Sequence, residues 1–76
     1  MWIKTFQNDK GEYLKDIFIE DLADFYDTEP CLAIAGLWKT TNPKEAMRFR
    51  TSSEAITMKS LLRKIRGNWD YKNVEI

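Results

Sequence analysis

The chain has 76 residues and a mass of 9.0 kDa, which is the size of one small domain with a limited core. Its composition, 43% hydrophobic and 32% charged, is typical of a folded domain rather than a disordered polyelectrolyte. Twelve basic residues offset twelve acidic ones, so a net charge of zero argues against a general nucleic-acid binder. Because histidine is absent and Cys31 is the only cysteine, we expect no enzyme, no metal site and no cofactor.

The N-terminal residues lack the apolar core of a secretory signal peptide. The longest apolar run, residues 31–38, is far shorter than the roughly 20 residues that a membrane-spanning helix needs. These features predict a cytoplasmic protein that does not enter the membrane.

The first elements along the chain are predicted to form a β-hairpin. Residues 2–6 alternate in a strand-like way, residues 8–11 supply turn chemistry, and residues 13–19 are rich in aromatic and β-branched side chains. Gly11 is the turn residue best suited to a positive φ. Residues 20–28 are compatible with a short acidic helix, or with a loop because aspartate is a poor helix-interior residue.

Two further strands are predicted in the middle of the chain. Residues 31–38 are apolar at both odd and even positions, which predicts a strand covered on both faces. Residues 46–50 alternate, with Met47 and Phe49 inward and Arg48 and Arg50 outward.

The clearest signal is a helix that begins after Thr51. Thr51 and Glu54 have the spacing of a capping box, in which each side chain bonds the other residue's backbone amide. The helix is predicted to end before Gly67, and residues 69–76 can add an edge strand. Its apolar stripe comprises Ala55, Met58, Leu61, Leu62 and Ile65. The predicted fold is a single α+β domain, residues 1–76, with an antiparallel sheet of three to five strands packed against one C-terminal amphipathic helix.

Charge is unevenly distributed along the chain. Residues 1–38 hold eight acids and three bases, whereas residues 39–66 hold eight bases and two acids. We expect the acidic segment to be either an internal ion-pairing partner of Arg48 or Arg50, or an exposed surface that docks on a partner protein with a basic groove. The predicted partner-binding residues are Glu20, Asp21, Asp24, Tyr26, Asp27 and Glu29.

A second candidate surface lies on the last helix. Lys59, Arg63 and Arg66 fall on successive turns, and together with Arg48 they form an alternative nucleic-acid-binding set. Neither a helix-turn-helix nor a basic arm accompanies them, so nucleic acid is the less favoured partner. A small enzyme using carboxylates such as Asp21 and Asp24 is a third, weaker hypothesis.

One helix covers only one face of a sheet, yet apolar residues point both ways in the predicted strands. The second face therefore needs another cover: the acidic segment, a second copy of the chain, or a different protein. Trp38 and Phe49 are predicted to be core residues. Partner contact is as plausible as burial for Trp2, Tyr26, Trp69 and Tyr71.

Residues 38–55 form a local pattern: a tryptophan, a polar loop with Asn42 and Pro43, a short strand ending in Phe49, and a capped helix opening with Glu54. This pattern resembles small, mostly uncharacterised accessory proteins of bacteriophages and mobile elements. The resemblance implies a phage-type protein, a class that includes inhibitors of host enzymes and defence systems, and it transfers no site residue. We therefore expect a non-catalytic interaction module, an inhibitor of a host nucleic-acid-handling or defence protein, compatible with homodimerisation.

Overall fold

The computed structural model describes residues 1–21 and 32–76. The strands are β1 (Trp2–Gln7), β2 (Tyr13–Asp21), β3 (Leu32–Thr40) and β4 (Asp70–Glu75), and the helix is α1 (Ser52–Leu62), preceded by a 3₁₀ turn (Pro43–Glu45). The sheet is antiparallel with the order β3-β2-β1-β4. The predicted α+β class is confirmed, although α1 precedes the last strand instead of ending the chain.

The turn between β1 and β2 is organised by Asn8. Its Oδ1 accepts the backbone N–H groups of Lys10 at 3.1 Å and Glu12 at 2.8 Å, which is how an asparagine side chain stabilises a tight turn. Gly11 has φ +79°, a conformation that disfavours residues with a Cβ. The hairpin was therefore correctly predicted from the spacing of these residues.

The sheet is split between β1 and β2. Only Gln7 and Tyr13 are paired, at the turn end, and the strands diverge beyond them. The gap is crossed by residues 46–50: the Met47 N–H donates to Leu14 O at 2.7 Å and the Phe49 N–H donates to Lys4 O at 2.9 Å. Because these two amides bond different strands, residues 46–50 do not form the regular strand that we predicted. Their side chains nevertheless alternate as expected, since Phe49 is buried and Arg48 and Arg50 are exposed.

The core lies between the sheet and α1. Phe6 is completely buried, and its ring meets Phe49 edge-on at 5.1 Å and Tyr71 at 5.0 Å. Four residues of the predicted stripe, Ala55, Met58, Leu61 and Leu62, are buried in α1. Burial of each large apolar side chain contributes about 1.5–3 kcal/mol, so this cluster is the main source of stability.

The ends of α1 follow the sequence signals with one difference. Thr51 Oγ1 accepts the Glu54 N–H at 3.2 Å, as in a capping box. The Glu54 carboxylate, however, accepts the N–H of Arg50 at 3.5 Å rather than that of Thr51. The helix ends at Leu62, before Gly67, whose φ is +126°.

The strands β2 and β3 have nine residues each and pair with each other as a two-stranded ribbon. This ribbon extends past the single position at which β2 pairs with β1. The molecule is accordingly elongated, with extents of 44 × 24 × 18 Å. Glu20 and Asp21 belong to β2, so the short helix that we considered for residues 20–28 does not begin at residue 20. Its remaining positions, and Cys31, lie outside the described residues. No helix in the described part of the chain has the length and apolar character needed to cross a membrane.

Candidate functional site

One face of the β2–β3 ribbon points away from α1. Ile17 and Ile19 pack against the core, so the residues that alternate with them in β2 lie on the opposite side. Asp16 pairs with Trp38 in β3, and Phe18 pairs with Gly36. We call this surface the outer ribbon face; it consists of Asp16, Phe18, Glu20, Gly36 and Trp38.

Two aromatic side chains dominate the outer ribbon face. Phe18 is 54% exposed and Trp38 is 53% exposed, although both stand in the middle of paired strands. Gly36 leaves room for them: a Cβ there would lie 2.9 Å from Trp38 Cη2 and 3.6 Å from Phe18 Cβ. The expected burial of Trp38 is therefore wrong, and so is the expected cover on both faces of the strand for residues 32–38, because α1 covers only the inner side.

The carboxylates on this face flank the aromatic rings. Asp16 and Glu20 are exposed, and they precede and follow Phe18 at alternate positions of β2. Among the side chains that the structure describes, those of residues 1–20 and 32–76, the single ion pair is Lys39 with Glu12, at 3.6 Å. The predicted pairing of Arg48 or Arg50 with the acids of residues 20–29 is thus not formed at Glu20, and the other acids of that segment lie outside the residues whose side chains are described.

Of the predicted acidic site, the structure places Glu20 on the outer ribbon face and Asp21 at the end of β2. Asp24, Tyr26, Asp27 and Glu29 lie outside the described residues. Sequence reasoning missed Asp16, Phe18 and Trp38 as a group. The alternation of acid, aromatic and acid at positions 16, 18 and 20 was the available signal.

A second surface lies where α1 begins. A cleft of about 290 Å³ brings together Lys4 from β1, Arg50 from the segment before α1, and Lys59 from the helix. The remaining lining residues are Thr51, Ser52, Ala55, Ile56 and Tyr71. An adjoining shallow depression shares Lys4 and Arg50 with this cleft and adds Trp2 and Arg48. The two depressions form a continuous positively charged surface.

The predicted nucleic-acid-binding residues do not gather as a set. Lys59 lines the cleft and Arg48 lies beside it. Arg63 is the C-cap of α1, where its N–H donates to Lys59 O at 3.1 Å, and it shares a depression with Lys59, Trp69 and Asp70. Arg66 lies beyond the helix and borders Asn8 and Gly67, apart from the other three. In the cleft, Lys4 and Arg50 replace Arg63 and Arg66, and sequence reasoning missed Lys4 because it is distant in the chain.

Comparison with protein-family models, curated proteins and solved structures found no match for the chain. Among the described residues, no three acidic or cysteine side chains are grouped as a metal ion requires. The candidate site therefore stands on its own geometry: an acidic and aromatic face on the ribbon and a basic surface beside α1.

Proposed function

We propose that this protein is a non-catalytic interaction module whose outer ribbon face binds a basic partner protein. The observation that carries this function is the exposure of Phe18 and Trp38 by more than half, between Asp16 and Glu20. Exposed aromatic side chains that adjoin each other are typical of surfaces that a partner covers.

Aromatic burial supplies the affinity in this arrangement. The Trp38 ring lies over Gly36, and Phe18 stands across from Gly36 on the paired strand, so both aromatic side chains belong to one small area of the outer ribbon face. An aromatic side chain has only two rotatable bonds and therefore loses little conformational entropy on binding, which is one reason why tryptophan is frequent at the centre of interfaces.

Charge supplies the selectivity. Asp16 and Glu20 border the aromatic pair and remain exposed, as the polar rim of an interface does. A partner with an apolar recess flanked by lysine or arginine complements this face, and opposite charges accelerate the encounter. A second copy of the chain is a poorer occupant, because it would bring the same carboxylates face to face.

In its most specific form, our proposal is a cytoplasmic inhibitor of phage type that acts on a host nucleic-acid-handling or defence protein. Two features support it: the negative charge of the outer ribbon face, which suits proteins that bind phosphates, and the resemblance of residues 38–55 to phage accessory proteins. The acids of residues 22–29 extend the same charge along the chain.

Affinity capture with matched charge reversals tests this function. The immobilised protein is compared with the double variant Asp16→Lys/Glu20→Lys and with Asp70→Lys/Glu75→Lys, which makes the same charge change on exposed positions of β4. Captured proteins are quantified by mass spectrometry across a salt series. Circular dichroism verifies that each variant is folded.

We expect one or more basic proteins to be retained by the wild type and by the β4 variant, and to be lost with the ribbon variant and at high salt. Equal recovery on all three proteins contradicts the proposal. Sedimentation is measured in parallel, and a dimer that dissociates only in the ribbon variant would assign the face to a second copy instead.

A further inference from the structure

We propose that the basic surface beside α1 binds single-stranded nucleic acid. This surface is separate from the outer ribbon face in both residues and charge. It is formed by Trp2, Lys4, Arg48, Arg50, Lys59 and Tyr71. The proposal does not depend on the function assigned to that face.

The cations of this surface converge from different parts of the fold. Lys4 comes from β1, Arg50 from the segment before α1, and Lys59 from the last turn of the helix. Thr51 and Ser52 add hydroxyl groups, and the Thr51 hydroxyl keeps its proton free to donate because its oxygen accepts the Glu54 N–H. Donors and cations placed around one cleft match the acceptor oxygens of a phosphate group.

The charged groups extend past the cleft. Lys4 and Arg50 also line the neighbouring depression, where Arg48 adds a fourth cation. A row of separated cations matches the repeated charge of a phosphodiester backbone better than that of one isolated anion.

Two aromatic residues on the same surface provide stacking positions. Trp2 is 66% exposed and Tyr71 is 37% exposed. Trp2 and Lys4 alternate with Phe6 on one side of β1, and Tyr71 stands across from Phe6 in β4, so all of them share that side of the sheet. The contact with Phe6 at 5.0 Å holds the Tyr71 ring in place. Unpaired bases stack on such rings, whereas the bases of a duplex are already stacked on each other.

No acidic side chain lines either depression, as far as the described residues are concerned. Glu54 is engaged with the Arg50 N–H, whereas Glu75 stands directly across from Trp2 and therefore shares the side of the sheet that carries Trp2 and Lys4. No ion pair joins Lys4, Arg48, Arg50 or Lys59 to another described residue.

Fluorescence anisotropy with a labelled oligothymidylate of about 15 nucleotides tests the proposal. Four phosphate contacts predict that log K falls with log salt concentration with a slope of about −2.8, which is about a fiftyfold loss between about 50 and 200 mM salt. Lys4→Gln and Lys59→Gln should each reduce the magnitude of the slope by about 0.7. Arg66→Gln, which removes a cation outside the surface, should change neither slope nor affinity.

Stacking is tested separately from charge. Trp2→Ala should weaken binding about tenfold, and Trp2→Phe should retain most of the affinity because a ring remains. Since Trp2 is exposed, neither change should alter the thermal unfolding curve. Undetectable binding at low salt overturns the proposal. So does a loss of affinity in Arg66→Gln equal to the loss in Lys4→Gln or Lys59→Gln, and so does a duplex of the same length that binds as tightly as the single strand.

Discussion

The indole of Trp38 lies over the backbone of Gly36. A Cβ at residue 36 would approach Trp38 Cη2 to 2.9 Å and Cζ3 to 3.2 Å, closer than ordinary van der Waals contact. The missing side chain thus allows the ring to lie along the ribbon with Phe18 beside it. Glycine at this position defines the shape of the outer ribbon face.

Gly36→Ala is expected to displace the Trp38 ring without unfolding the protein. The ring is half exposed and free to move outward, and the backbone at residue 36 does not need a positive φ. The free energy of unfolding should change by less than about 1 kcal/mol, because the backbone gain of alanine in a strand offsets the lost contact. Partner capture should decrease and Trp38 fluorescence should change. A loss of stability above about 3 kcal/mol would contradict this account of Gly36.

Gly67→Ala should be more damaging. Residue 67 has φ +126°, and an added Cβ would lie 2.9 Å from Nε1 of the buried Trp69. Backbone strain and displacement of a core ring together should lower the free energy of unfolding by about 1–3 kcal/mol. Urea unfolding measures the effect. An unchanged urea midpoint would show that this turn adopts a different conformation.

Thr5→Val should stabilise the protein. Thr5 is completely buried, and its Oγ1 has no hydrogen-bond partner in the described part of the chain. Valine has nearly the same shape and removes the unpaired hydroxyl, so the free energy of unfolding should rise by about 1 kcal/mol. Thr5→Ser is the matched control, because it keeps the hydroxyl and loses a methyl group. A valine variant less stable than the wild type would indicate that the hydroxyl is bonded.

Glu12 should titrate below its ordinary pKa. The hydrogen bond from Asn8 Nδ2, 3.1 Å long, is the main cause of the lowered pKa, and the charge of Lys39 acts in the same direction while desolvation opposes both. The ionised Glu12 carboxylate therefore stabilises the folded protein above pH 4.5, which is the pKa of this group in the unfolded chain. This contribution to the free energy of unfolding is lost as the pH falls through the lower pKa of the folded state. An NMR titration of the Glu12 carboxyl carbon measures this value.

Asn8→Ala is the matched variant for that titration. It removes the main cause, so the pKa of Glu12 should move up towards 4.5. If the pKa is the same in both proteins, Asn8 does not hold the carboxylate as the structure indicates.

Local sequence signals predicted the elements better than their arrangement. Gly11 marked the hairpin turn and Thr51 marked the start of α1, because each acts through its own neighbours in the chain. The crossing of residues 46–50 between β1 and β2 was not predictable, because alternation does not reveal which strand accepts each amide. Trp38 was assigned to the core for a similar reason: its hydrophobicity does not show that α1 covers only one face.

The candidate surfaces were predictable only as far as local charge reveals them. Charge counts indicated an acidic half and a basic half, and Glu20, Lys59 and Arg48 were selected on that basis. Lys4 joins the basic surface only because β1 pairs with β4 beside the beginning of α1. Long-range pairing of this kind has no local signature.

The two exposed tryptophans provide the most direct test of the central claim, that the outer ribbon face is the protein-binding surface. Capture of the basic partner is quantified for Trp38→Ser and for Trp2→Ser, which remove rings of similar exposure from different surfaces. We predict that Trp38→Ser loses the partner by at least about tenfold and that Trp2→Ser retains it. Retention by folded Trp38→Ser, or equal loss in both variants, would contradict the claim.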